Sequence, residues 1–190
     1  MFPLPNVFLF PGALMPLHVF EPRYRQMIED SLDGPGRIVM AAVLESHHDQ
    51  LAGDPPVFEY AGLGEIRHHE RLPDGRFFIN LVGCCRVHIR EVPSSRLYRR
   101  VEATLLQETP ATREEECALR SELAKAILKR TPKLRDLPLD MPIGHMADFL
   151  LMRLELPQSA MQEAFARLST TDRARRALAE HERRPQRPHG

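Results

Sequence analysis

A chain of 190 residues with 43% hydrophobic and 27% charged side chains has the make-up of a folded globular protein, which excludes a disordered or fibrous chain. Its 26 basic and 26 acidic residues cancel, so no global field draws it toward nucleic acid or an acidic membrane. No run approaches the roughly 20 apolar residues of a membrane-spanning helix.

The opening stretch, 1–12, is apolar but holds Pro3, Pro5 and Pro11 and no basic residue, which makes it a poor secretory signal. Two strands are expected at 7–10 and 14–20, broken by the turn at Pro11-Gly12. Glu21-Pro22 opens a helix, because proline fits a first turn where its missing N–H costs nothing. Tyr24, Met27, Ile28 and Leu32 follow at helical spacing, and Gly34 closes the segment. A nearly continuous apolar run at 38–44 predicts a strand buried on both faces, and the polar stretch 46–56 an exposed loop.

The strongest local signal is a hairpin. Strands at 64–72 and 77–82 flank Pro73-Asp74-Gly75-Arg76, which supplies the preset φ and the left-handed residue of a tight turn. A further strand at 85–92 places Val87 and Ile89 on one face and Arg86, His88 and Arg90 on the other. A last strand is expected at 98–106. Six or seven short strands with one helix describe a small barrel or a pair of packed sheets.

The pattern changes at Pro110. Thr112 with Glu115 makes a capping box, and Leu119, Leu123, Ala126 and Ile127 mark one face of a helix ending near Thr131. A linker at 132–138 precedes a largely buried helix at 141–154. Ser159 with Gln162 and Ser169 with Asp172 start two more helices. The Arg- and Pro-rich end is expected to fray. The resulting division is a β-rich domain at 1–108, a helical bundle at 109–182 and a tail at 183–190.

Reactive chemistry is sparse. Phosphate-binding loops, nucleophile elbows and zinc-protease motifs are missing. His47-His48-Asp49 with His68-His69 invites a metal site, but adjacent strand residues point to opposite faces and a solvated loop explains them. Cys84-Cys85 invites a nucleophile, yet one of two neighbours in a strand must face the core and act as a small hydrophobe. Three cysteines, two of them adjacent, fit a reducing cytoplasm rather than a disulfide framework. Arginines cluster at Arg96, Arg99 and Arg100 around Tyr98, and again at Arg173, Arg175 and Arg176. With only 6% aromatic residues and no Trp, they form a weak nucleic-acid surface.

Three stretches carry a family resemblance: residues 2–24, which read FPLPNVFLFPG and then MPLHVFEPRY, the stretch Gly62-Leu63-Gly64-Glu65-Ile66, and the hairpin from Leu72 through Ile79 to Arg86. Together they resemble the N-terminal, substrate-binding domain of Lon protease, and the likeness runs as far as about Leu178. The resemblance implies an α+β fold, a PUA-like β-barrel followed by a C-terminal helical bundle. It also implies a stand-alone bacterial Lon-domain protein of the cytoplasm, lacking the ATPase and protease domains and therefore not an enzyme.

The expected activity is binding of unfolded or extended protein segments, with a protease or chaperone as a further partner. No cofactor, metal or membrane is expected. RNA binding through the barrel is the alternative. The residues assigned to peptide contact are His18, Phe20, Glu21, Arg23, Tyr24, Tyr60, Arg67, Phe77, Phe78 and Arg86. For the group from His18 to Tyr24, an architectural role at the strand-to-helix junction competes with ligand contact.

Overall fold

The computed structural model describes residues 1–49 and 53–184. The chain divides into two compact units, 1–106 and 107–190.

Among the described residues, the first unit is one six-stranded sheet with a single α-helix. Its elements are β1 (Phe2–Pro5), β2 (Leu14–Val19), α1 (Pro22–Leu32), β3 (Arg37–Val43), β4 (Tyr60–Arg71), β5 (Phe77–Val92) and β6 (Arg100–Leu105). The strand order is β1-β3-β4-β5-β2, with β6 also on β5. β1 runs parallel to β3, and every other pairing is antiparallel.

This ladder corrects the expected closed barrel. Among the described residues β1 and β2 do not pair, so the sheet stays open. The cause is local. Asn6 takes a left-handed φ of 55°, a conformation that short polar side chains such as Asn adopt far more readily than other non-glycine residues. The chain there leaves β1 and crosses the sheet instead of running on as a strand, so residues 7–10 are not the strand that their apolar run predicts.

The crossing segment lies directly on sheet backbone. A Cβ on Gly62 would stand 2.2 Å from the Leu9 carbonyl oxygen, and one on Gly83 would stand 2.0 Å from that of Phe10. Gly64, opposite Gly83 in the register, would collide with the Leu9 and Leu81 side chains. Two backbone hydrogen bonds pin the end of the crossing: the Gly12 amide donates to Gly83 O at 2.8 Å, and the Gly83 amide to Ala13 O at 2.9 Å.

β5 is one strand of 16 residues, not the two expected, because a bulge absorbs the irregularity in its middle. Leu63 pairs with Cys85 and Gly64 with Gly83, which leaves Cys84 as the extra residue. Below the bulge, Phe77, Ile79 and Leu81 join a core with Leu9, Val19, Met27, Ile28 and Met40. Above it, Val87 and Ile89 join a second cluster with Val39, Ala41 and Ala61. β3 lies between the two and is buried on both faces, as its apolar run predicts. The same geometry corrects the assignment of Arg86 to peptide contact. Phe10 of the crossing segment covers its side of the strand, with the guanidinium 5.4 Å from the ring centroid, and Arg86 is only 1% exposed.

The hairpin turn forms as expected, with Gly75 at φ 80° and the Leu72 amide donating to Arg76 O. α1 stops at Asp33, and Gly36 rather than Gly34 takes the left-handed conformation beyond it.

The second unit holds α2 (Arg113–Arg130), α3 (Ile143–Met152), α4 (Gln158–Ala166) and α5 (Thr170–Arg183). α2, α3 and α5 pack on one another, and α4 touches α5. The capping box on Thr112 and Glu115 is present, and Ser169 caps α5 through the Asp172 amide. α4 begins one residue before Ser159, behind Pro157, without a side-chain cap. Arg173 is fully buried. It reaches Asp148 at 2.8 Å and Glu108 at 3.0 Å, and donates to Arg167 O at 2.6 Å.

Two stability measurements check this packing. Gly83→Ala should lower stability by about 1–3 kcal/mol in urea titration, because the added methyl meets a carbonyl that cannot move without the crossing segment. Arg173→Ala should cost about 3–5 kcal/mol, since it strips the guanidinium from a buried Asp148.

Candidate binding surface

β2 alternates cleanly. Met15, Leu17 and Val19 turn toward the first core, while Leu14, Pro16 and His18 face outward, and Phe20 continues the exposed row. Leu14 is 62% and Phe20 60% exposed, and Phe78 on the neighbouring strand is 45% exposed. The register places Leu14 beside Val82, Pro16 beside Asn80 and His18 beside Phe78. The His18 ring stacks on Phe78 at 4.5 Å and lies 5.9 Å from Phe20. One further strand over, Glu70 and His68 sit opposite Phe78 and Asn80 and give the row a polar border. Single exposed apolar residues are ordinary, whereas here Leu14, Phe20 and Phe78 are exposed close together on one edge of the sheet.

The ten residues assigned from sequence do not form one site. His18, Phe20 and Phe78 come together on this row. Glu21, Arg23 and Tyr24 build the strand-to-helix junction. The Arg23 guanidinium pairs with Glu21 at 2.9 Å and lies 4.5 Å over the Tyr24 ring, and its Nη1 donates to Gly53 O at 3.4 Å. Tyr24 is buried against Phe2, ring to ring at 4.2 Å, and that burial raises its hydroxyl pKa.

Arg67 is the extra residue of a second bulge, between Ile66 and His68, and pairs with Glu65 at 3.0 Å in solvent. Tyr60 packs beside Phe58 and edge-on to His88 at the far half of the sheet. Close to it is a cavity of about 380 Å³ lined by Val57, Glu59, His88, Ile89 and Val101. Phe77 and Arg86 are interior, so contact with a docked chain is closed to both. Leu14 was not picked out in advance. The alternation of Leu14, Pro16, His18 and Phe20 against Met15, Leu17 and Val19 is the signal that finds it.

The other candidate chemistries have local explanations. His47 bonds to Ser46 and His48 to Val43 O. Among the described residues, no group of three or more His, Cys, Asp or Glu is placed to hold a metal ion. The arginines that suggested a nucleic-acid surface are largely engaged by carboxylates. Arg96 pairs with Asp30, Arg99 grips Glu91 through two nitrogens, and Arg176 pairs with Glu163 and Glu180. Cys84 is exposed at the bulge, and Cys85 turns inward. Burial pushes the Cys85 thiol up and the neighbouring Cys84 adds to it, the reverse of what an activated nucleophile needs.

An open, mostly antiparallel sheet with an exposed row on its β2 edge and a separate unit of helices are the two parts of this fold. The chain belongs to the ATP-dependent protease La (LON) substrate-binding domain family, whose model matches residues 1–180. Two solved structures share the fold. The N-terminal domain of the Mycobacterium avium complex Lon protease superposes with a TM-score of 0.67 at 19% identity, over 95% of each chain. A Lon N-terminal domain protein from Xanthomonas campestris gives 0.64 at 20% identity, over 94% of this chain and 95% of its own. Among the described residues, no helix is long and apolar enough to cross a membrane.

A thiol reagent at neutral pH should label Cys85 several-fold more slowly than Cys84 in the folded protein. Mass spectrometry of the time course checks this, and preferential labelling of Cys85 would reopen a cysteine-dependent activity.

Proposed function

We propose that the protein is a non-catalytic module of the cytoplasm that captures extended or unfolded protein segments on the β2–β5 face. The observation that carries this reading is the exposed row Leu14, Pro16, His18, Phe20 with Phe78, which offers alternate side chains of an extended chain an apolar track with a polar border. Membership of a substrate-binding family supports it, because that family's domain is named for holding protein rather than cutting it. Of the assigned residues, His18, Phe20 and Phe78 are the contacts, and Leu14 joins them. Glu21, Arg23 and Tyr24 act indirectly, by fixing where Phe20 emerges from the end of β2. A partner protease or chaperone would receive the captured segment.

Fluorescence anisotropy with a reduced, carboxymethylated, permanently unfolded protein tests the proposal. Wild type should bind. Leu14→Ser, Phe20→Ser and Phe78→Ser should each weaken binding by about tenfold, the size expected for apolar anchors at the centre of a contact. All three should leave stability within about 0.5 kcal/mol, because the side chains are in solvent. Absence of binding by wild type, or equal binding by all three variants, would overturn it.

A further inference from the structure

In the second unit, the C-terminal turn of α5 is held by one side chain of α2. Arg130 ends α2, and its Nη2 donates to His181 O at 3.2 Å and also to Arg184 O. Arg184 O lies past the end of α5, and His181 O otherwise has a long 3.4 Å bond from the Arg184 amide, so the guanidinium is a helix-end cap from a neighbouring element. One contact goes beyond capping. Arg130 Nε–H also donates to the ring nitrogen Nδ1 of His181 at 2.9 Å. A guanidinium has five donors and no acceptor, so the bond requires an unprotonated Nδ1.

We propose that Arg130 and His181 form an acid-released latch, closed while the imidazole is neutral and opened by its protonation, which frees the last turn of α5 from α2. Protonation does two things at once. It replaces the acceptor lone pair with a second N–H pointing at a donor, and it sets two cations at hydrogen-bond distance. The surroundings do not offset this. Lys129 and Arg130 on α2 and Arg184 after α5 outnumber Glu182 on α5 and Glu155 beyond α3. Glu180, the remaining carboxylate on this turn, is engaged by Arg176, Arg183 and Arg184.

Burial first, then Arg130 and Lys129, holds the His181 pKa below its ordinary 6.5. The unfolded chain therefore takes up this proton before the folded one does. The latch contributes its full stability above pH 6.5 and loses it as the pH falls through the lower, folded-state value. Arg130 stays charged throughout and supplies no titration of its own.

Hydrogen exchange read by mass spectrometry at pH 7.5 and 5.5, corrected for intrinsic rates, tests the latch. In wild type, protection of residues 178–183 should fall by roughly five- to tenfold at the lower pH while that of α3 holds. His181→Asn presents an amide oxygen near the position of Nδ1 and cannot titrate, so its protection should be equal at both values. Arg130→Met should open the turn at both. Equal wild-type protection at the two pH values, or the same acid loss in His181→Asn, would overturn the proposal. A second measurement is independent of how well His181→Asn folds. The NMR titration midpoint of the His181 ring should rise in Arg130→Met, and an unchanged midpoint would also defeat the latch.

Discussion

The sheet of the first unit depends on one close approach, the passage of Leu9 and Phe10 over Gly62, Gly64 and Gly83. Backbone touches backbone there, at distances that no side chain larger than hydrogen permits. The contact covers Arg86, fills the core over Ile79 and Leu81, and delivers the chain to Gly12 at the point where β2 must begin. Without it β2 would have no fixed start, and the alternation that turns Leu14, His18 and Phe20 outward would have no fixed phase.

The bulge at Cys84 performs a related service for β5. A strand of 16 residues cannot follow one twisted surface along its whole length and still pack both ends. The inserted residue lets the lower half serve the first core beside β2 and the upper half serve the second beside β6. The three stretches that carry the family resemblance meet at this place. The opening segment, the Gly62–Ile66 run and the end of the hairpin are the two sides of the crossing and its hinge. Their distinctive composition records how the sheet is assembled, whereas the exposed row on β2 falls inside only one of them.

That division explains what could be read in the residues. Local pattern reported the long helices, the capping box at Thr112 and the hairpin well, because each is dictated by contacts a few residues apart, whereas the start expected at Ser159 falls one residue inside α4. The fate of 7–10 was not legible. Val7 to Phe10 is as apolar as any strand, and its conversion to a crossing segment depends on three glycines more than 50 residues later. Arg86 misled for the same reason: alternation set it opposite Val87 and Ile89, but that side is covered by Phe10 and closed to solvent. Of the site, His18, Phe20 and Phe78 were within reach of local pattern. Phe77 and Tyr24 needed knowledge of which face each strand and helix buries.

Pro16 sits in the middle of β2 with no amide hydrogen to give. A proline is accommodated in a strand where its nitrogen looks away from the neighbour, so the gap falls on the free side of the sheet. An incoming chain cannot zip onto β2 rung by rung, and two copies of the protein cannot fuse edge to edge along it. A chain resting on this margin, as proposed, would be held by side chains rather than by a continuous ladder.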